Sequence, residues 1–369
     1  MNEKRLLERF LEFIQIDSPT TKEREFAEHL IPILEGLGME VEMDDAGEKA
    51  GSNSGNLIGK LKGNTGSPAI MFSSHMDTVS PGEGIKPEIK DGVIYSDGTT
   101  ILGGDDKAGI AAIIEGIQSV VESGIPHGDI EVVFTIFEEG GLFGSKYLDY
   151  SKLDSKMAYV LDTSGAPGKI VVGGPAQAKI TAEFTGKEAH AGVAPEEGVS
   201  AIQMLSEAIA NMKLLRVDSE TTANIGKIEG GSVTNIVTKT AKFLAEARSL
   251  NDDKLDQQVA HMVEECEKAA AKFGGSVEVD VNIAYKSFRV DEDDQIVLNV
   301  KKACENLGLE PETEMSGGGS DTSNYNGNGI VSVNLAIGET KPHTVDESLK
   351  IEDLNNSARL VMELIKLHA

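Results

Sequence analysis

The amino-acid sequence predicts an α/β protein whose main domain is interrupted by a smaller α+β domain. Three observations support this fold class. Short apolar runs alternate with helical stretches in the first part of the chain, the pattern changes after about residue 172, and the first pattern returns after about residue 286. The predicted main domain therefore comprises residues 1–174 and 286–369, and the predicted inserted domain comprises residues 175–285.

The first part of the chain begins with two predicted helices. An amphipathic pattern predicts a helix over residues 4–17, and Thr21 is expected to cap a second helix that has Arg24 in its first turn. A further helix is predicted at Ala108–Glu122. Four short runs rich in β-branched and aromatic residues predict buried strands at Asn56–Leu61, Ala69–Phe72, Val132–Phe137 and Ala158–Leu161. Strands that alternate with helices favour a largely parallel core sheet.

The inserted region has the order strand–helix–strand–strand–helix–strand. This order is typical of a sheet that has one face covered by two helices. The predicted strands are Ala178–Phe184, Ala223–Ile228, Thr240–Ser249 and Val277–Val281, and the predicted helices are 199–213 and 252–273. The α/β pattern then resumes with a helix at 292–307, a strand at 329–337 and a helix at 351–367.

Composition excludes several classes of protein. The 369 residues include 34 Lys and Arg against 61 Asp and Glu, which gives a net charge of −27. Such an acidic surface repels phosphate backbones and anionic lipid, so neither nucleic acid nor a membrane is expected as a partner. The chain has only two cysteines, Cys266 and Cys304, and no apolar stretch of signal-peptide type at its start. A reduced, cytoplasmic setting is therefore expected.

Acidic residues and histidines recur at the ends of predicted strands, where open α/β sheets bind ligands. His75 and Asp77 follow the second strand, and two residues apart in extended backbone they point the same way. Asp77 could therefore hold the second ring nitrogen of His75. Adjacent carboxylates occur in two further places, at Asp105–Asp106 before a helix and at Glu138–Glu139 after a strand. Asp162 follows a fourth strand, and His343 lies in a later loop.

Each of these clusters has an ordinary structural explanation when taken alone. Asp105 or Asp106 could cap the helix, Asp162 could form a turn, and His343 could be a surface residue. Together, two histidines, several carboxylates and a spare glutamate fit a pair of metal ions that share a bridging carboxylate. Nitrogen and oxygen ligands without thiolate suit zinc, or less specifically manganese or cobalt.

The ordered set H-x-D at 75–77, D-D-K-A-G at 105–109 and E-E-G at 138–140 resembles the two-zinc exopeptidase and deacylase family. That family includes peptidase T, acetylornithine deacetylase and succinyl-diaminopimelate desuccinylase, and the resemblance covers essentially the whole chain. It implies a mixed-sheet zinc-exopeptidase catalytic domain with an inserted α+β sandwich that acts as a lid and dimerisation domain. It also implies a homodimer formed through the inserted domain.

The resemblance implies a role for each matching residue. His75 and Asp162 would complete the first metal site, His343 and Glu139 the second, and Asp105 would bridge them, with Asp106 as the adjacent alternative. Asp77 would orient the first site, and Glu138 would act as the general base on a water that lies between the metals. His190 in GKEAHAG would be a further catalytic residue, which helps to bind the scissile carbonyl. Three residues of the remaining segments would bind substrate: Asn235 in GGSVTNIV, Arg248 in EARSL and Gly318 in SGGGSDTSN. Arg248 could equally form a salt bridge on the sheet surface.

Three functions follow from these observations. The first is hydrolysis of the amide bonds of short peptides by an aminopeptidase of the peptidase T type. The second is an N-acyl-amino-acid deacylase or carboxypeptidase of the same family, which needs a cation for the substrate carboxylate, with Arg248 as its candidate. The third is a metal-dependent binding protein without catalysis, which the spare base Glu138 argues against.

Overall fold

The computed structural model describes all 369 residues. Its α-helices are α1 (Glu3–Phe13), α2 (Arg24–Gly36), α3 (Ala46–Ala50), α4 (Gly104–Glu122), α5 (Phe143–Tyr147), α6 (Ala201–Asn211), α7 (Asp252–Phe273), α8 (Gln295–Leu307), α9 (Asp321–Gly327) and α10 (Ile351–Leu367). None of them combines the length and the apolar character that a membrane crossing requires.

The strands range from two to ten residues in length. They are β1 (Glu40–Met43), β2 (Leu57–Leu61), β3 (Ile70–His75), β4 (Glu88–Lys90), β5 (Val93–Tyr95), β6 (Ile130–Thr135), β7 (Met157–Thr163), β8 (Lys169–Gly174), β9 (Ala176–Thr185), β10 (Leu215–Arg216), β11 (Thr221–Gly230), β12 (Thr240–Ser249), β13 (Ser276–Tyr285), β14 (Phe288–Arg289), β15 (Glu312–Met315), β16 (Val331–Ala336), β17 (Glu339–Thr340) and β18 (Ser348–Lys350).

The chain forms two compact units. Unit 1 consists of Met1–Gly173, Arg289–Ser316 and Ser320–Ala369, and unit 2 consists of Gly174–Phe288 and Gly317–Gly319. Where the chain returns to unit 1, the N–H of Val290 donates to the carbonyl of Val172 over 2.7 Å. The two ends of the interruption are thus adjacent within unit 1.

Unit 1 is built on a nine-stranded mixed sheet with the order β1-β2-β6-β3-β7-β16-β8-β14, and β15 pairs with β8. The four central strands β6, β3, β7 and β16 run parallel, while β2 and β8 join them antiparallel. The mixed-sheet α/β fold expected from the sequence is confirmed. Because the central strands are parallel, their carboxyl ends share one edge of the sheet.

Helix α4 is the buried helix of unit 1. Apolar residues lie on all its sides, and Ile110, Ile113, Ile114 and Ile117 are fully shielded from solvent. A helix that is apolar all round is favoured in a core rather than at a surface. The element follows Gly103, whose φ of +73° suits a glycine, and the backbone of Asp105 and Asp106 is not yet helical, so this pair enters the core just before the regular turns of α4.

Unit 2 contains a five-stranded antiparallel sheet with the order β10-β11-β12-β9-β13. Along β9, burial alternates: Ala178, Ile180, Ala182 and Phe184 are buried, whereas Lys179 is exposed. Residues of α6 and α7, such as Met204 and Met262, complete the same hydrophobic core. The predicted element order is present, with the short strand β10 in addition.

The start of the chain departs from the sequence prediction. Helix α1 ends at Phe13 rather than at residue 17, because the following segment turns to pair with the residues after β3: the N–H of Thr78 donates to the carbonyl of Ser18 over 3.0 Å. Thr21 does not cap α2, so that prediction was wrong. The N-cap is Glu23, and Thr21 lies in a turn with φ +77°, where its N–H donates to Glu23 Oε1 over 2.9 Å.

Other boundaries shift by a few residues, and side-chain caps explain two of them. Helix α6 starts after Ser200, whose hydroxyl accepts from the N–H of Gln203, and α8 starts after Asp294, which caps Ile296. Strand β3 extends to His75, and β7 includes Asp162, so both residues lie within strands rather than beyond them.

Candidate metal centre

The predicted metal ligands come together at the carboxyl edge of the central strands of unit 1. His75 is the last residue of β3 and pairs with Thr135, the last residue of β6. Asp162 lies near the end of β7, and Glu138 and Glu139 follow β6. Because β3 lies between β6 and β7, its terminal histidine is at the centre of this edge.

The His75 ring faces an acceptor on each side. Its Nδ1 lies 2.8 Å from the backbone carbonyl of Asp77, and because a carbonyl can only accept, Nδ1 carries the proton of the neutral ring. The other nitrogen, Nε2, lies 2.9 Å from Asp105 Oδ1 and 3.4 Å from Asp162 Oδ1. The lone pair of the neutral ring is then aimed at two carboxylates, an arrangement that a cation between them stabilises.

Asp105 faces both histidines. Its Oδ1 contacts His75, and its Oδ2 lies 3.1 Å from Nε2 of His343. Nε2 of His343 also lies 2.9 Å from Glu139 Oε1. The carboxylate of Asp105 thus separates a set formed with His75 and Asp162 from a set formed with His343 and Glu139.

Asp106, which is joined to Asp105 by a cis peptide bond, lies on the His75 and Asp162 side of the site. Its Oδ2 accepts from the backbone N–H of His75 over 3.2 Å, and its buried Oδ1 has no hydrogen-bond partner. Of the two adjacent aspartates, Asp105 is the one whose two oxygens lie between the histidines.

The electrostatics of these residues fit divalent cations. Burial raises the pKa values of Asp106, Asp162 and Glu139, as neighbouring carboxylates also do. The carboxylates of Asp105 and Glu139 raise the pKa of His343 to about 10. Clustered carboxylates and imidazoles that perturb one another in this way suit bound cations, and two groups have ligand atoms close enough to hold one: His75 with Asp105 and Glu139, and His75 with Asp106 and Asp162.

Glu138 differs from Glu139 in its surroundings. Burial, and next the charge of Asp162, raises the pKa of Glu138 well above its usual range. A buried carboxyl with a raised pKa is suited to exchange protons near neutral pH. Its backbone N–H donates to Asp77 Oδ1 over 2.9 Å, and that of Glu139 lies 3.3 Å from Asp77 Oδ2.

Asp77 therefore contacts both sides of the site. The prediction had its carboxylate holding the ring of His75. In the structure, Nδ1 of His75 lies 2.8 Å from the backbone carbonyl of Asp77 and 3.5 Å from its carboxylate Oδ1, so both groups of Asp77 face the ring and the carbonyl is the nearer. The carboxylate also binds the backbone of Glu138 and Glu139 and accepts from Thr20 Oγ1 over 2.8 Å.

Three buried polar residues that sequence reasoning missed support this edge. Asn334 on β16 binds the backbone of Asp162 through both amide atoms, at 3.0 and 2.8 Å. Glu23 accepts from the N–H of Phe137 over 3.1 Å, next to Glu138. Asp321 accepts from Thr135 Oγ1 over 2.6 Å. Of these three residues, only Asp321 lies in a segment that the sequence analysis singled out, the glycine-rich loop 316–324. Asn334 and Glu23 contact residues that are distant in the sequence, and no local pattern pointed to them.

The other four predicted site residues belong to unit 2. His190 is exposed, and its Nδ1 accepts from the N–H of Gly192 over 3.2 Å. The backbone of Asn235 accepts from the N–H of Ala191 over 2.9 Å, so the two predicted segments are neighbours. Gly318 lies in the short piece Gly317–Gly319 of the same unit.

Arg248 is engaged by a carboxylate of its own strand. Its Nε and Nη2 lie 3.0 and 3.1 Å from the two oxygens of Glu246. The salt bridge that was the alternative interpretation of this residue is therefore present.

Several known proteins resemble this chain in sequence and in fold. A family model described as peptidase family M20/M25/M40 matches residues 71–367. The uncharacterized protein YqjE of Bacillus subtilis strain 168 is 48% identical over 366 residues, which cover 99% of each chain. Among solved structures, the aminopeptidase PepT from Bacillus cereus ATCC 10987 is 48% identical with a TM-score of 0.92, and the match covers 99% of this chain and 98% of that one. A tripeptidase from Staphylococcus aureus Mu50 is 45% identical with a TM-score of 0.96, covering 100% of this chain and 98% of that one.

Proposed function

The chain belongs to peptidase family M20/M25/M40 and is a metal-dependent hydrolase, and from this premise we propose that it is an aminopeptidase that releases the N-terminal residue of short peptides, tripeptides foremost. The observation that carries the proposal is the position of Asp105, whose two oxygens face His75 and His343. This arrangement supports two metal ions with one shared carboxylate.

We assign the ligands to two sites. His75, Asp105 and Asp162 would hold one ion, and His343, Asp105 and Glu139 the other. The nitrogen and oxygen donors suit zinc, with manganese or cobalt as alternatives. When bound, such ions polarise a carbonyl and make water more acidic.

The residues of the chain then have distinct tasks. Glu138 takes a proton from the attacking water and delivers it to the nitrogen of the leaving amine, and its raised pKa suits both transfers. Asp77 holds the backbone of Glu138 and thereby orients the base. His190 is proposed to donate to the oxygen of the scissile carbonyl, a contact of a kind worth about 3–4 kcal/mol in the transition state. Asn235 and Gly318 are proposed to bind polar groups of the substrate.

A deacylase or carboxypeptidase of the same family is the alternative. It requires a cation that is available to the substrate carboxylate, and Arg248 was its candidate. The guanidinium of Arg248 is already paired with both oxygens of Glu246. This pairing uses two of the five N–H donors of Arg248, and what favours the aminopeptidase is the similarity to an aminopeptidase and a tripeptidase at 48% and 45% identity.

Two further proposals concern assembly and compartment. We propose a homodimer formed through unit 2, supported by the exposed apolar side chains of Ile228, Leu244, Val281 and Ile283 on its strands. Light scattering coupled to gel filtration tests this proposal by mass. We also propose a cytoplasmic location, which the two buried free cysteines support.

A substrate panel tests the function. The chelated protein is reloaded with Zn²⁺, Mn²⁺ or Co²⁺ and given tripeptides with a free or acetylated N-terminus, dipeptides and N-acyl amino acids. We expect release of the N-terminal residue from the free tripeptides, and none without metal. Hydrolysis of the N-acyl amino acids alone would favour the deacylase, and no hydrolysis of any compound would favour a binding protein.

A further inference from the structure

Glu347 makes an unusual set of contacts with the backbone that leads to Asp105. Its Oε2 accepts from the N–H groups of Leu102 and Gly103 over 2.8 and 3.0 Å. Its Oε1 accepts from the N–H groups of Gly104 and Asp105 over 2.7 and 3.1 Å. One carboxylate thus binds four consecutive backbone N–H groups, and the last of them belongs to the residue that faces both histidines.

The loop is shaped around this carboxylate. Glu347 is 1% exposed. Gly103 has a φ of +73°, and a Cβ atom on Gly104 would lie 2.9 Å from Glu347 Oε1. The two glycines therefore permit a backbone that turns its N–H groups toward Glu347.

Glu347 also ties this loop to the second histidine. It lies four residues after His343, in a segment whose turn is closed by the N–H of Glu347 donating to the carbonyl of Thr344 over 3.1 Å. Nε2 of His343 lies 3.1 Å from Asp105 Oδ2. The carboxylate therefore fixes the backbone of Asp105 relative to the segment that carries His343.

An ordinary helix cap explains less than what is observed. A capping side chain satisfies one or two of the free N–H groups of the first turn. Here the contacts begin two residues before the helix at Leu102, and they end on Asp105 itself. The contacts of Glu347 are therefore better explained by a role in holding Asp105 in place than by a role in capping the helix.

We propose that Glu347 is a positioning residue, which holds Asp105 at the place where its two oxygens serve both metal sites. This inference rests on the proposed function, since it assumes that Asp105 bridges two ions. Residues that hold a metal ligand in this way typically affect metal affinity by about 10–100-fold when they are replaced.

The test is metal binding by Glu347→Gln, in which the amide NH₂ would oppose two of the four backbone donors. The control is Glu131→Gln. Glu131 is also a buried carboxylate (2% exposed) that accepts two backbone N–H groups, those of Asp154 and Ser155, at 3.0 and 2.9 Å. It lies near the start of β6, whereas the predicted ligands lie beyond the end of that strand.

Affinity for Zn²⁺ is measured by competition with a chromophoric chelator, and the absorption spectrum of bound Co²⁺ reports the ligand geometry. We expect Glu347→Gln to bind about 10–100-fold more weakly and to show an altered Co²⁺ spectrum. We expect Glu131→Gln to match the wild type in both readouts, even if its melting temperature falls.

The outcomes separate the inference from the proposed function. Wild-type affinity and spectrum in Glu347→Gln would overturn the role of Glu347, whatever its melting temperature. If that variant does not fold, Glu347→Asp and Gly104→Ala replace it, and wild-type binding by both would overturn the role equally. If the wild type itself binds no divalent metal, the proposed function fails.

Discussion

At the scale of single residues, Asp77 shows how one residue serves two parts of the site. Its backbone carbonyl fixes the ring of His75, and its carboxylate fixes the backbone of Glu138 and Glu139. A substitution of the side chain leaves the carbonyl, which is the nearer acceptor for the His75 ring, in place. The proposed orientation of the base therefore depends more on the carboxylate than the proposed metal binding does.

We expect Asp77→Asn to lower kcat by about 10–100-fold while the metal content is retained. The asparagine offers one acceptor oxygen where the aspartate offers two, and its amide nitrogen would oppose the N–H of Glu138 or Glu139. Metal analysis beside steady-state kinetics checks this. Loss of the metal from the variant would mean that the carboxylate, not the carbonyl, holds His75.

For Glu138→Gln we expect a fall in kcat of about 10²–10⁴-fold, because the amide cannot take a proton from water. Metal content stays at the wild-type level, since Glu138 is not among the assigned ligands. Glu139→Gln is the matched control, and it should lose metal from the His343 site. An active Glu138→Gln enzyme would remove this residue from the role of base.

Metal binding should release protons. In the metal-free protein the pKa of His343 is about 10, raised by Asp105 and Glu139, so the ring is protonated at pH 7. Burial opposes the charged form of His75, but Asp105, Asp162 and Asp77 together raise the pKa of this ring. A metal requires neutral imidazole, so its apparent affinity should rise between pH 6 and 8.

Titration calorimetry in two buffers of different ionisation enthalpy measures this release. Equal heats in both buffers would show that no proton leaves. Protonation of His343 also affects the stability of the metal-free protein. Because the pKa of His343 is higher in the folded than in the unfolded chain, the protonated ring stabilises the fold. This stabilisation is complete at pH values below the unfolded pKa of about 6.5, and it is lost as the pH rises through about 10.

At the scale of elements, the approach of α4 to the sheet depends on a glycine. A Cβ atom on Gly109 would lie 2.3 Å from the carbonyl oxygen of Leu161, 2.4 Å from Ser74 Oγ and 2.5 Å from Asp106 Oδ1. No side chain fits there without movement of β3, β7 or the helix. The first turn of α4 can thus bring Asp105 and Asp106 to the strand ends.

We expect Gly109→Ala to destabilise the protein by about 1–3 kcal/mol, because the methyl group overpacks the contact between helix and sheet. The urea midpoint checks this value. Gly36→Ala in α2 is the control, since a Cβ atom on Gly36 would meet nothing within 4 Å. A Gly109→Ala variant as stable as the control would contradict this prediction, because it would mean that α4 can shift away from the sheet without loss of stability.

Element types were largely predictable from local patterns. Helix α7 matches its predicted range of 252–273, because Asn251 caps it through the N–H of Lys254 and Gly274 ends it in the left-handed conformation. Strand β12 also matches its predicted range. Thr21 misled the prediction because the turn around it depends on pairing with the segment after β3, which is distant in the sequence.

At the scale of the whole molecule, the sequence pointed to the proposed ligands but not to the residues that support them. The family resemblance of their motifs marked His75, Asp105, Glu139, Asp162 and His343, and the structure brings these five side chains together. Glu347 binds Leu102 across 245 positions of the chain, and Asn334 binds Asp162 across 172. Contacts over such separations are set by the topology of the sheet, and no local pattern encodes them.

The junction at Val172 and Val290 allows a direct test of the division into units. A chain in which Gly174–Phe288 is replaced by a short glycine turn should still fold and bind metal, because all proposed ligands lie in unit 1. It should not hydrolyse peptides, since His190 is absent. A shortened chain that fails to bind metal, or that keeps its activity, would contradict this division of tasks.

The same junction bears on conformational entropy. Closing a flexible loop costs only about 0.6 kcal/mol more for each doubling of its length. Since the backbone hydrogen bond between Val290 and Val172 already closes the interruption within unit 1, the length of what lies between them contributes little to the free energy of folding of that unit. A folded insert that holds its own ends together loses even less conformational entropy when unit 1 folds. Unit 1 can therefore tolerate large changes in the inserted sequence, while the residues proposed as metal ligands stay in place.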